Sequence, residues 1–273
     1  MNIQGRSSTD TGNGRNGILR GVTPVSAARR RVVNNVSTDP PKEDTRLGPA
    51  NTILQALDHE QFLRLRQFIK RAHLVKDQYV YQQDDEIDMI YFPETAVVSD
   101  FQILEDGRTI EVGIIASEGA VGIASAFGSC RAANCTQVCV SGSALAIGRD
   151  IFERAVMSDP RLQRSIHAYL NAQVKQLSQR VVCNTFHSVE QRFCGWLLTL
   201  HRRSRRQSFT LTHEHVARVL GVHRPSVTYI AQALRDRELI DYGRARLEIR
   251  NSAGLEQIAC RCSADQSALQ FVH

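Results

Sequence analysis

The sequence predicts an α+β chain: an N-terminal antiparallel β-barrel or jelly roll, a long helix, and a C-terminal helix-turn-helix with a β-wing. Three observations carry this expectation. Between Leu74 and Ile147, short β-branched and aromatic runs alternate with turn residues. Beyond Asp159-Pro160, apolar residues recur at steps of three and four. From Thr212 to Tyr242, the stretch THEHVARVLGVHRPSVTYIAQALRDRELIDY meets the packing demands of two crossed helices slot by slot.

The chain has 273 residues, enough for two domains and a sizeable core. Residues 1–46 are rich in Gly, Ser, Thr, Asn and Arg, with eight Lys and Arg against four Asp and Glu. With no apolar period, this stretch is expected to be a disordered basic tail. Arg29-Arg30-Arg31 within it offers at most non-specific phosphate contact. A barrel domain is expected over 47–158, the long helix over 159–186, a winged helix-turn-helix domain over 187–262 and a tail over 263–273.

In the barrel domain, Leu54, Leu57, Phe62, Leu65, Phe68 and Ile69 follow a helical period, with Asp58 as a helix cap. Strands are expected in QYVYQ, DMIYF, AVVSDFQIL and TIEVGIIA, then at 137–140 and 144–147. Asp106-Gly107 marks a hairpin. The spacing suggests roughly eight strands. Pro160 suits a first helical position. The stripe Ile166, Leu170, Val174, Leu177 and Val181 reads as a coiled-coil seam, hence as a homodimer interface. The competing reading lays this helix on its own barrel.

The helix-turn-helix is the most specific signal. Ala217 is small where two helices cross, Gly221 stands where the turn favours positive φ, and Val227 and Ile230 face inward. Thr212 is the expected N-cap of the first helix. His223, Arg224, Pro225, Ser226, Thr228 and Tyr229 then lie at the outer face and N-terminus of the second helix, where side chains meet base edges. Leu239–Tyr242 and Leu247–Ile249 flank a tight turn, so Arg244 and Arg246 sit at a wing tip suited to phosphate. Residues 201–250 hold eleven Arg against five acidic residues. This basic balance points to double-stranded DNA as the partner.

Other classes find less support. The seven cysteines are odd in number and lack paired C-x2-C spacing, so neither a disulfide framework nor a metal site is expected. Cys130, Cys135 and Cys139 read as buried or half-buried thiols, and Cys260-x-Cys262 is a weak signal. No catalytic residue is expected: there is no phosphate-binding loop, HExxH or GxSxG motif. His213-Glu214-His215 does not converge on one helix face. No apolar run approaches the ~18 residues of a membrane span and no signal-peptide core is seen, so a cytoplasmic location is expected.

Over about residues 51–260 the chain resembles the Crp/Fnr family of bacterial transcription regulators. The resemblance is most specific over LTHEHVARVLGVHRPSVTYIAQALRDRELIDYGRARLEI. It implies a cyclic-nucleotide-binding-like sensor barrel, a dimerisation helix and a winged helix that reads a palindromic operator, with RNA polymerase as a further partner. Arg224 matches a base-reading arginine of the family. Pro225 replaces a frequent glutamate, and Tyr229 a frequent arginine. The sensor end departs further. In EGAVGIASAFGSCRAANCTQV, Gly122 matches the family glycine, but Ile123 stands where the ribose-binding glutamate is expected. Ala132, Ala133 and Asn134 occupy the phosphate-binding region, with Arg131 slightly early. Ile cannot accept from a hydroxyl and Ala cannot pair a phosphate. The pocket is therefore expected to be degenerate and not to take cyclic AMP; another small-molecule or nucleotide effector is the alternative. No cofactor is expected. The N-terminal cysteine cluster of the family's oxygen sensors is absent, since residues 1–129 contain no cysteine.

Overall fold

The computed structural model describes residues 49–128 and 130–262. The expected tails at 1–46 and 263–273 lie outside the described residues. Two short helices come first, α1 (Thr52–Gln55) and α2 (His59–Arg66). The apolar period from Leu54 to Ile69 thus spans a break. Asp58 causes it: its carboxylate accepts from the Gln61 amide at 2.8 Å, and Gln61 accepts from the Asp58 amide at 3.1 Å.

Seven strands follow: β1 (Lys70–Leu74), β2 (Tyr79–Tyr81), β3 (Met89–Pro93), β4 (Val97–Ile103), β5 (Thr109–Ile115), β6 (Cys135–Val140) and β7 (Gly142–Gly148). They form two antiparallel sheets, ordered β1-β7-β3 and β2-β6-β4-β5. The expected count was about eight. Residues 123–127, between β5 and β6, wind into a 3-10 turn instead of a strand. β1 lies just before the expected onset at Leu74. Its sequence, KRAHL, looks too charged for a strand, yet Ala72 and Leu74 alternate inward and pair opposite Ala144 and Gly142 of β7. The hairpin at Asp106-Gly107 forms as expected, with Gly107 at φ 83° and Ile103 opposite Thr109.

Period-two alternation sorts the buried strand residues between separate cores. Val80, Tyr91, Val98, Val138, Ala144 and Ala146 fill the barrel interior. The other face of the first sheet, with Ile90, Phe92, Leu145 and Ile147, packs against helices, including α3 (Arg149–Ser158) and the start of α4 (Pro160–Phe186). The other face of the second sheet, with Val97, Phe101, Ile114 and Cys139, joins the C-terminal unit in one continuous core.

That unit comprises α5 (Val189–Ser204), β8 (Ser208–Thr210), α6 (His213–Leu220), α7 (Arg224–Asp236), β9 (Ile240–Gly243), β10 (Arg246–Ile249) and α8 (Ser252–Ile258). Ser188 and Gln191 form the capping box that starts α5. β8, β10 and β9 make a small antiparallel sheet in that order. The unit docks through α5 and α6. Glu111 on β5 is fully buried; it accepts from Arg180 of α4 at 3.0 Å and from Trp196 of α5 at 3.3 Å. Arg203 of α5 pairs with Glu118 at 3.1 Å and donates to the Ile114 carbonyl. Among the described residues, no helix is long and apolar enough to cross a membrane.

His215 of α6 lies in this docking core. Its ring meets Phe101 edge-on at 6.4 Å and packs beside Trp196, with Cys139 Sγ 3.9 Å from Nε2. Burial, followed by the charges of Lys76 and Arg218, holds the imidazole down from 6.5 to about 4. The fold therefore accepts only the neutral ring. Below its ordinary pKa the unfolded chain takes up a proton that the folded chain refuses. Stability present above pH 6.5 is thus lost as pH falls toward 4, by roughly 3 kcal/mol at most. His215→Gln, uncharged throughout, is expected to lose less stability than the natural chain between about pH 7 and about pH 5. Denaturant unfolding across that range checks it, and parallel pH profiles for the two chains would refute the assignment.

Candidate nucleic-acid interface

α6 begins at Thr212, whose hydroxyl accepts from the His215 amide at 3.0 Å. Val216, Ala217 and Leu220 are buried. The helix ends at Gly221, which adopts φ 64° and ψ 40°. Two constraints meet there. A side chain would be strained in that conformation, and a Cβ would stand 3.0 Å from Ile110 of β5. The turn that aims α7 is therefore pressed against the barrel.

α7 starts after His223, with Arg224 and Pro225 in its first turn. Proline there sacrifices no helical hydrogen bond. Val227 is fully buried and Ile230 half-buried, which turns the opposite face outward. His223, Arg224, Pro225, Ser226, Thr228 and Tyr229 are all exposed, Tyr229 to 79%. The Thr228 hydroxyl is partly committed: it lies 2.9 Å from His213 Nδ1 and donates to the Arg224 carbonyl at 3.2 Å. Thr228 therefore braces α7 on α6 as well as lining its face. His213 also sets its ring edge against Tyr242 at 4.5 Å. Partial burial and the Arg224 charge lower its pKa. Sequence reading missed this bracing role of His213, because its partners Thr228 and Tyr242 lie 15 and 29 positions away.

The wing is a β9–β10 hairpin in which Gly243 pairs with Arg246. Arg244 and Ala245 both take positive φ, 50° and 63°, as a type I′ turn requires. Arg244 is exposed at the tip. Arg246 is exposed too, but its Nε donates to the Ser208 hydroxyl at 3.1 Å. Strand β8, not anticipated from the sequence, thus steadies the second wing arginine. The Leu211 amide donates to the Ala245 carbonyl at 2.7 Å and fixes the wing beside the entry to α6. Between wing and helix lies an open groove of about 590 Å³, lined by Thr212, His213, Glu214, Arg224, Tyr242 and Arg244 among others. Arginines from two elements therefore frame one notch.

The expected dimer stripe divides. Ile166 is fully buried in its own chain's core with Leu162 and Tyr169, so it presents nothing to a partner; this corrects its assignment to an intermolecular seam. Leu170 is partly buried against the same core. The alternative reading, a helix on its own barrel, holds for this first half of α4. Val174, Leu177 and Val181 are exposed to 59%, 45% and 66%.

In the barrel, Gly122 has φ 81° and leads into the 3-10 turn, where Ile123 is buried in the helix-covered core. Ala132 is buried in the barrel interior. Residues 130–132 pair with 84–87 through Ile87 N to Cys130 O, Ala132 N to Asp85 O and Asp84 N to Ala132 O, at 2.7–2.9 Å. Arg131 is exposed and donates to the Asp84 carbonyl at 2.7 Å.

Two family models match the sequence. A Crp-like helix-turn-helix domain matches residues 191–258, and a cyclic nucleotide-binding domain matches residues 71–159. A search of curated proteins finds no match. Solved structures with the same fold include FixK2 from Bradyrhizobium japonicum, at 17% identity and TM-score 0.60, covering 70% of this chain and 98% of that one. A Crp/Fnr-family protein from Eubacterium rectale aligns at 14% identity and TM-score 0.63, covering 77% and 98%. The c-di-GMP responsive regulator CLP of Xanthomonas campestris aligns at 17% identity and TM-score 0.59, covering 70% and 99%.

Proposed function

Because the chain belongs to the Crp/Fnr family of transcription regulators, its two domain matches spanning more than half of its length, we propose that it reads a palindromic DNA site as a homodimer. The observation that carries this reading is the exposed face of α7. Docking on the barrel uses α5 and α6, so Arg224, Ser226 and Tyr229 stay open beside the Arg244 wing. Arg224 at the helix start takes guanine O6 and N7, worth about 1–3 kcal/mol of discrimination. Arg244 and Arg246 take phosphate. The reading is that of a regulator rather than an enzyme. Contact with RNA polymerase belongs to it on the strength of the family alone.

The test is affinity for specific and scrambled duplexes across a salt series. Arg224→Ala is expected to weaken the specific site more than the scrambled one and to relax preference at one base pair per half-site. Arg246→Ala is expected to weaken both alike and lower the salt slope by about one. An Arg224→Ala chain that loses both duplexes equally would remove Arg224 as base reader.

Dimerisation rests on the second half of α4. Val174, Leu177 and Val181 stand at steps of three and four on one helix face and are exposed in the single chain. A second copy of the same stripe covers them. Replacing both Val174 and Leu177 with Asp puts charges into that contact without touching the buried first half. Sedimentation is expected to show monomers, and palindrome binding is expected to fall with them. A variant that stays dimeric would rule out this stripe.

The barrel carries no provision for cyclic AMP. Ile123 and Ala132 are buried apolar residues in place of the groups that would hold ribose and phosphate. Millimolar cyclic AMP is expected to leave both the melting temperature and the DNA affinity unchanged. A ligand at 100 times its Kd would add about 2.7 kcal/mol, which a melting curve resolves. A saturable shift would overturn this part of the reading.

A further inference from the structure

At the junction of the long helix and the DNA-binding unit, four side chains far apart in sequence converge. Cys183 lies in the last turn of α4, and His187 caps that helix, its amide bonded to the Cys183 carbonyl at 3.1 Å. A spacing of four puts both on one helix face. The other two arrive from the far end of the domain. α8 stops at Ile258 and Ala259 takes an extended conformation, bringing Cys260 and Cys262 against the end of α4.

The three sulfurs and the imidazole nitrogen all lie within 4.8 Å of one another. Cys183 and Cys260 Sγ are 3.9 Å apart. Zinc–thiolate bonds of about 2.3 Å place tetrahedral ligands about 3.8 Å from each other. The cluster thus has the span of ligands around a single ion. A [4Fe–4S] cluster fits it poorly, because its four thiolates bind four separate irons and stand farther apart.

Two further observations point to a ligand. His187 Nδ1 and Arg192 Nε are buried here without a hydrogen-bond partner among the described residues. A metal would satisfy the first. Three thiolates and a neutral imidazole around a dication leave an excess negative charge. Arg192 lines the same cavity as Cys183 and Cys260, and its Nη1 donates to Asn184 and to the Leu220 carbonyl. A disulfide would use only two of the four groups and leave His187 idle.

We propose that Cys183, His187, Cys260 and Cys262 form a mononuclear tetrahedral site for Zn²⁺. This departs from the expectation of no metal. Cys183-x3-His187 and Cys260-x-Cys262 are each weak patterns, and only the fold joins them across 77 positions. The ion would tie the end of the helix carrying the dimer stripe to the end of the domain carrying α7. It would close a loop around the whole DNA-binding unit and limit how that unit tilts on α4. The site stands whether or not the chain reads DNA as a dimer.

The test uses the full-length chain without a histidine tag, expressed with added zinc and purified under reducing conditions without chelating resin. Elemental analysis is expected to find one zinc per chain. Cobalt supplied in its place is expected to give the visible bands of a tetrahedral ion, with near-ultraviolet thiolate charge transfer of the strength three thiolates produce. Cys260→Ser and Cys262→Ser are each expected to lower metal affinity at least about tenfold, while Cys130→Ser, outside the cluster, leaves it unchanged. Cys262 is only half-buried, so its variant keeps the test decisive if Cys260→Ser does not fold. A natural chain that carries no zinc and develops no cobalt bands would overturn the site. So would metal retained undiminished in Cys262→Ser, or a Cys183–Cys260 disulfide recovered in place of metal.

Discussion

The arrangement of this molecule depends on one buried carboxylate. Glu111 sits on β5 with no exposed surface, and burial raises its pKa against the opposing charge of Arg180. Such a group persists in an interior only when its partners are fixed. Those partners come from two other elements: Arg180 from the second half of α4, Trp196 from α5. Arg180 also donates to the Glu111 carbonyl at 3.1 Å. Removing Arg180 leaves an uncompensated charge in an apolar core, a loss on the order of 3–5 kcal/mol for a buried pair. Barrel, long helix and DNA-binding unit therefore meet at this polar node, with Arg203–Glu118 as a second tie between α5 and the barrel.

Around that node the surfaces are apolar and close-fitting. Gly221 packs on Ile110, Arg218 lies over the Phe101 ring at 5.1 Å, and His215 is enclosed by Phe101 and Trp196. The docked surface of the helix-turn-helix is its first helix, whose job within the motif is to support the second. Docking thus uses one helix of the pair and leaves the outer face of the other exposed. The long helix is divided in the same way. Its first half is buried on the barrel through Leu162, Ile166 and Tyr169, and its second half offers Arg180 inward and Val174, Leu177 and Val181 outward.

What the sequence made legible was local. The caps at Asp58 and Thr212, the hairpin at Gly107, the αL position at Gly221 and the buried slots at Ala217 and Val227 depend on neighbours within a few residues. What stayed hidden depends on distant partners. β1 is a strand because β7 lies beside it, although KRAHL has little strand character by itself. β8 exists because it pairs with β10. A helical stripe gives the face that is apolar but not what covers it, so Ile166 and Val181 read alike in sequence and fare differently in the fold. The Glu111 node and the cysteine cluster join residues 69 to 85 positions apart, beyond the reach of any spacing rule.

The exposed face of α7 carries fewer polar side chains than its family resemblance implies. A glutamate at the second position of α7 could accept from a cytosine amino group; Pro225 offers only shape and contact with a thymine methyl. Tyr229, on the same face, supplies a ring and a hydroxyl where an arginine would add charge. Thr228 has its hydroxyl turned to His213 and to its own helix. On the proposed reading, hydrogen-bonded discrimination would therefore concentrate on Arg224, with Ser226 beside it. Arg244 and Arg246 sit at the wing, exposed, where the proposed contact with phosphate would carry no sequence information. On the proposed reading, such an interface would draw its affinity from the DNA backbone and from the pairing of two copies. Its selectivity would then come from one guanine per half-site, from methyl contacts, and from the deformability of steps it does not touch.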